Sequence, residues 1–229
     1  MRVLMTGVMG VLAILFAHVA SVAAAGSLPS ATKVLFETVH LNKLEAGSKL
    51  SYRLEQTISN EKLLGPPIKD DITVAIARVS SNGKRDVKVS IFTGERARPV
   101  QSITGLTGNP LLVIFLDRAV RNYHRVAGGK IVYLKNRFKI ELAKHAKVKA
   151  TKVSYNGKEV DGYRVSVEPF VRDPSRYKMH GYEGSTFSFV VSKDIPGYFW
   201  KLDSVLESPK EMAPRIEEHI RFASVGGVK

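Results

Sequence analysis

Cysteine is absent from all 229 residues, so no disulfide, thiolate nucleophile or thiolate metal site is open to this chain. Its stability must come from core burial, which roughly 200 residues can supply within one domain. Acid is scarce, with 21 Asp and Glu against 35 Lys and Arg, a formal net charge of +14. Catalytic motifs are lacking too. There is no G-x-S-x-G elbow, and Ser30-x-x-Lys33 and Ser81-x-x-Lys84 stand without the companion motifs of Ser-Lys enzymes. No two of His40, His124, His145, His180 and His219 have the i, i+4 spacing of paired ligands on a helix. Gly128-Gly129-Lys130 lacks the upstream glycine of a phosphate loop and reads as a helix stop. The carboxylates Asp117, Glu141, Asp173 and Glu183 offer no ground for choosing an acid-base pair. No cofactor and no metal is called for.

The first residues carry the clearest signal. Met1-Arg2 is a short positive start, Val3 to Phe16 is almost wholly apolar, and Ala23-Ala24-Ala25 precedes Gly26, the order of a secretory signal peptide cut after Ala25. The apolar run falls short of the roughly 20 residues that cross a bilayer. With no cysteine at the junction, a lipid-modified N-terminus has no attachment point. We therefore expect 1–25 to be a signal peptide and 26–229 a single soluble domain. Disulfide-free export suits a bacterial periplasm. Loss of Arg2 leaves a net charge of +13. In that compartment the excess is expected to meet a lipid or anionic envelope component, by peripheral membrane contact among other routes, and not nucleic acid. Solubility alone is the plainer account.

Along the mature chain, Val34 to Leu44 fits either a short helix or an extended segment. Leu50, Tyr52 and Leu54 alternate with polar residues as in a half-buried strand, and Gly65-Pro66-Pro67 ends it. Ile72, Val74 and Ile76, a turn at Ser81-Asn82-Gly83-Lys84, and Val87, Val89 and Ile91 predict an antiparallel hairpin, with a shorter strand near Val100 to Ile103. Asn109-Pro110 is a helix start, followed by Leu111, Phe115, Ala119 and Val126 at helical spacing; Asp117, Arg118, Arg121 and Asn122 are expected to face away. A second, strongly basic helix is predicted from Ile131 to Lys144. Strands return over Val148 to Tyr155, Val160 to Val167, Phe187 to Val191 and Phe199 to Leu206. Ile216, Ile220 and Phe222 suit a late strand, although Lys210 to His219 also suits a helix. Strands, two helices and strands again predict an α+β fold with a mainly antiparallel sheet.

Phe36-Glu37-Thr38, Gly108-Asn109-Pro110, Phe115-Leu116-Asp117, Tyr133-Leu134-Lys135-Asn136-Arg137 and Val191-Ser192-Lys193-Asp194-Ile195-Pro196-Gly197 resemble an uncharacterised family of proteobacterial periplasmic proteins. More loosely, the pattern resembles the half-barrel of the periplasmic lipoprotein carriers (LolA/LolB-like). That resemblance implies a strongly curved sheet with two central helices packed on its concave face, and shelter for acyl chains.

The leading expectation is a non-enzymatic periplasmic binding or carrier protein for an apolar or amphipathic envelope molecule, a lipid or lipid-like compound. Its expected ligand-binding residues are Phe115, Tyr133, Lys135, Arg137, Phe138, Phe187, Phe189 and Trp200. An envelope scaffold acting by surface contact, marked by an exposed apolar patch, and an envelope-polymer hydrolase stay open as alternatives.

Overall fold

Wherever apolar and polar residues alternate, a strand forms. The computed structural model describes residues 27–227, so the expected signal peptide lies outside the described residues. The strands are β1 (Lys49–Ile58), β2 (Ile68–Val79), β3 (Arg85–Ile91), β4 (Gln101–Leu106), β5 (Lys147–Tyr155), β6 (Lys158–Val167), β7 (Thr186–Val191), β8 (Phe199–Leu206) and β9 (Ile216–Gly226). Helices are α1 (Glu61–Leu64), α2 (Leu111–Ala127) and α3 (Ile131–Lys144), and a π-helical turn spans Lys33–Glu37. Among the described residues no helix is long and apolar enough to cross a membrane.

The fold is α+β. Among the described residues nine strands form one open sheet in the order β4-β3-β2-β1-β9-β8-β7-β6-β5, every neighbouring pair antiparallel. Two meanders thus meet at β1 and β9. The late strand is real, and it lies in the middle of the sheet. Because β4 and β5 are opposite edges, the chain between them must traverse the sheet, and α2 with α3 makes that crossing. The edge strand β5 carries Lys147, Lys149 and Lys152, charges that discourage pairing with another chain, so part of the basic excess has a structural role.

One cross-strand row shows where the core sits. Leu54, Ile220, Leu202, Phe189 and Val165 are paired in register across β1, β9, β8, β7 and β6, and all five are fully buried. The Phe115 ring of α2 meets Phe189 edge-on at 5.4 Å between centroids. Burial of this kind is worth about 1.5–3 kcal/mol per side chain.

The sheet is not flat. Tyr155 of β5 and Phe222 of β9 are separated by four interstrand steps, roughly 19 Å on a flat sheet. Their ring centroids lie 5.9 Å apart, and Trp200 joins them at 6.5 and 6.3 Å. Gly162 permits the hairpin of β5 and β6 to swing over in this way. A Cβ there would sit 2.4 Å from the Val191 carbonyl oxygen and 3.2 Å from Val153 Cγ2. Gly162→Ala is expected to cost about 2 kcal/mol and lower the melting temperature by roughly 5 °C. A calorimetric scan checks this, and an unchanged melting temperature would show that the hairpin adapts freely.

Candidate functional site

Helix α2 is held at its start and at its middle. At the start, Asn109 Oδ1 accepts the Leu111 N–H (3.0 Å), while Asn109 Nδ2 donates to the Tyr52 hydroxyl and to the Gly197 carbonyl, each at 2.8 Å. Its own N–H donates to Nδ1 of the buried His40 (3.1 Å), whose ring stacks on Tyr198 at 4.8 Å. The expected Asn-Pro start is therefore also a joint between β1, the turn before β8 and the N-terminal segment.

At the middle, the fully buried Glu218 of β9 accepts from Gln56 Nε2 (2.8 Å), Arg118 Nε (3.0 Å) and Asn122 Nδ2 (3.3 Å). The expectation that Arg118 and Asn122 face away from the core is overturned. A carboxylate in the sheet draws both inward, because its desolvation requires partners.

Helix α3 is pinned by the loop before β7. The Tyr133 hydroxyl donates to Asp173 (2.7 Å to Oδ1), and Arg137 bridges buried Asp173 (2.8 Å) and buried Glu141 (3.1 Å). His145 reaches the same Glu141 at 2.7 Å.

With both helices fixed, α2 and α3 enclose an open groove of about 560 Å³ between them, walled partly by the outer edge of the core. Val113, Leu116 and Val120 of α2 form one wall, Phe138, Leu142 and Ala143 of α3 the other, and Thr32 and Phe36 close one end. Phe36 is 51% and Val113 69% exposed, unusual for apolar chains grouped together. The rim is charged, with Lys135 of α3 donating to Asp117 of α2 at 2.7 Å and Lys139 beside it. Burial alone would raise the Asp117 pKa, but hydrogen bonds from Lys135 and Arg121 hold it below the usual carboxylate range.

Of the eight expected binding residues, Lys135 and Phe138 line this groove. Phe115, Phe187 and Phe189 lie in the core, where Phe187 packs on Phe138 at 4.7 Å. Tyr133 and Arg137 anchor α3, and Trp200 belongs to the cluster with Tyr155 and Phe222. Sequence reasoning missed Phe36, Val113, Val120, Lys139 and Leu142 as site residues. The available signal was that α2 carries more apolar residues than one core-facing stripe needs.

The polar clusters offer little chemistry. Ser188, Asp203 and His219 adjoin on β7, β8 and β9, but Ser188 donates to Asp203 (3.3 Å), which also takes His219 Nδ1 (2.6 Å) and Lys201 (3.0 Å). The imidazole Nε2 faces Glu217 at 3.5 Å, so serine and histidine are each spent on the carboxylate instead of on each other, unlike a catalytic triad. Among the described residues no group of three or more His, Asp or Glu is placed to hold a metal ion.

No family model and no curated protein matches the chain. Among solved structures it is similar to a chain in the MucA/MucB complex of Pseudomonas aeruginosa, at 14% identity and a TM-score of 0.35, over 83% of this chain and 55% of that one. It thus spans about half the length of that neighbour. It is also similar to a LolA superfamily protein from Nitrosomonas europaea, at 10% identity and a TM-score of 0.21, over 86% and 95% of the two chains. The second neighbour belongs to the superfamily that the sequence loosely resembles.

Proposed function

We propose that this chain is a non-enzymatic periplasmic binding or carrier protein, which shelters the apolar part of a lipid or lipid-like envelope molecule in the groove between α2 and α3. The groove itself carries the reading. It has the volume of a ligand site, walls of aliphatic and aromatic side chains, and an opening to solvent through which a chain can enter without unfolding the core. Burying an apolar chain against Phe36, Val113 and Leu116 removes from water a surface that otherwise stays exposed at a cost. In this reading the sheet is a half-barrel with α2 and α3 on its concave face, and the Tyr155–Phe222 contact supports that curvature.

Native mass spectrometry of the mature protein purified from a periplasm tests it. A stoichiometric lipid is expected to remain bound. Phe36→Asp, at a half-exposed position where folding tolerates the change, is expected to weaken rebinding of that lipid by about tenfold. An empty protein, still empty after incubation with envelope lipids, would overturn the reading in favour of a partner that acts by surface contact.

A further inference from the structure

The other flank of α2 differs in chemistry from the first. Between it and the strands β1 to β4 lies a second groove of about 410 Å³, lined by Arg98, Arg118, Arg121 and Arg125 with Asp117 the one acidic side chain on its wall. The guanidiniums of Arg98 and Arg118 lie over a single ring, that of Phe92, at 5.7 and 5.2 Å from its centroid. Three of the four cations have polar protein partners: Arg118 binds Glu218, Arg121 donates to Asp117 at 2.7 Å, and Arg125 donates to the Leu64 carbonyl. Arg98 has no carboxylate within 4.0 Å among the described residues, and Phe92 is the contact recorded for its guanidinium.

With Arg118 paired to Glu218 and Arg121 to Asp117, Arg98 and Arg125 add two cations without a carboxylate to one concavity, an excess that favours an anion, and planar guanidinium forks match the paired oxygens of a phosphate. Val113 and Asp117 line both grooves, so a molecule draped over α2 at these residues reaches the apolar slot with one end and the arginines with the other. Phe92, at the floor, holds a φ of +69°, a conformation that bulky residues rarely adopt.

We propose that the arginine-lined groove is an oxyanion site, which takes the phosphate of an amphiphile whose apolar chain occupies the slot between α2 and α3. This rests on the binding function proposed above and gives its ligand a charge. The phosphate of a lipid headgroup and a free phosphate ester share the chemistry.

Titration calorimetry at low salt with three compounds separates the cases: dihexanoyl phosphatidic acid, dihexanoylglycerol, which has the same chains without the phosphate, and glycerol 3-phosphate, which has no chains. Phosphatidic acid is expected to bind at least tenfold more tightly than dihexanoylglycerol, and the double variant Arg98→Ser/Arg121→Ser to bring the two to parity with the dihexanoylglycerol affinity unchanged. Equal binding of the two lipids to the unaltered protein, or a preference that survives the double variant, would overturn the oxyanion site while leaving the apolar reading standing. Conversely, if glycerol 3-phosphate binds and is lost with the two arginines while dihexanoylglycerol never binds, the anion site holds and the apolar reading fails. Equal melting temperatures of the two proteins exclude loss of fold as the cause.

Discussion

Arg118→Ala is expected to destabilise the protein by about 3–5 kcal/mol. The reason is what remains after the change. Glu218 has no exposure, and among the described residues Arg118 is the one cation that forms a salt bridge with it, leaving Gln56 and Asn122 as neutral donors. A buried carboxylate without its cation keeps its desolvation penalty and loses the compensating attraction. The loss is expected as a fall of roughly 10 °C in melting temperature. Joint replacement by Arg118→Met and Glu218→Gln is expected to recover more than half of it, since an amide still accepts from Gln56 and Asn122 and no charge stays stranded. A single variant within about 1 kcal/mol of the parent would mean that water reaches Glu218 and that the ion pair does not set the position of α2.

Acidification is expected to remove roughly 3 kcal/mol of stability between pH 6.5 and pH 4 through His40 alone. Burial lowers the His40 pKa from its ordinary 6.5 to about 4, the nearby Val34 backbone only partly opposing. The folded form therefore holds fewer protons than the unfolded chain throughout that interval. This contribution is complete above pH 6.5, declines as pH falls toward 4 and changes no further below it. Geometry gives the same sign: Nδ1 accepts the Asn109 N–H, and a protonated ring would set donor against donor. The neighbours are the rings of Tyr198 and Phe199, neither of which supplies a negative charge. Urea unfolding of the parent and His40→Gln across this range checks the point, because the difference between their curves isolates His40 from the carboxylates. Parallel curves would show that the imidazole is solvated.

Local patterns carried the strands well. The hairpin turn Asn156-Gly157 takes φ values of +50° and +73°, as a two-residue turn between right-twisted strands requires, and the two expected strands on either side pair across it. The bounds of α3 coincide with the predicted Ile131 to Lys144. What periodicity does not carry is the partner of each face. Arg118 and Asn122 look solvent-facing because nothing local records a buried acid on a strand a hundred residues later. The same gap explains the site residues: Tyr182, Phe187, Phe189, Phe199 and Trp200 form the densest aromatic region of the sequence, and density marks a core as readily as a ligand wall. The groove arises where apolar residues of two helices, some of them also core residues, meet a segment from the N-terminal side, a coincidence of surfaces that only the assembled fold brings about.

The seam between β1 and β9 also governs the order in which the molecule is made. Ile58 pairs with Ile216 and Lys49 with Gly226, so β1 gains this neighbour only when a strand far along the chain is in place. Until residues 216–226 emerge, the two meanders are separate half-sheets, and β1 and β8 each offer a bare row of hydrogen-bonding groups to any neighbour. Glu218 arrives in that same final strand, so Arg118, Asn122 and Gln56 receive their shared acceptor at the moment the sheet closes. Arrival of β9, sealing of the sheet and locking of α2 are thus one event, and a protein truncated before Ile216 is expected to pair with its own copies instead.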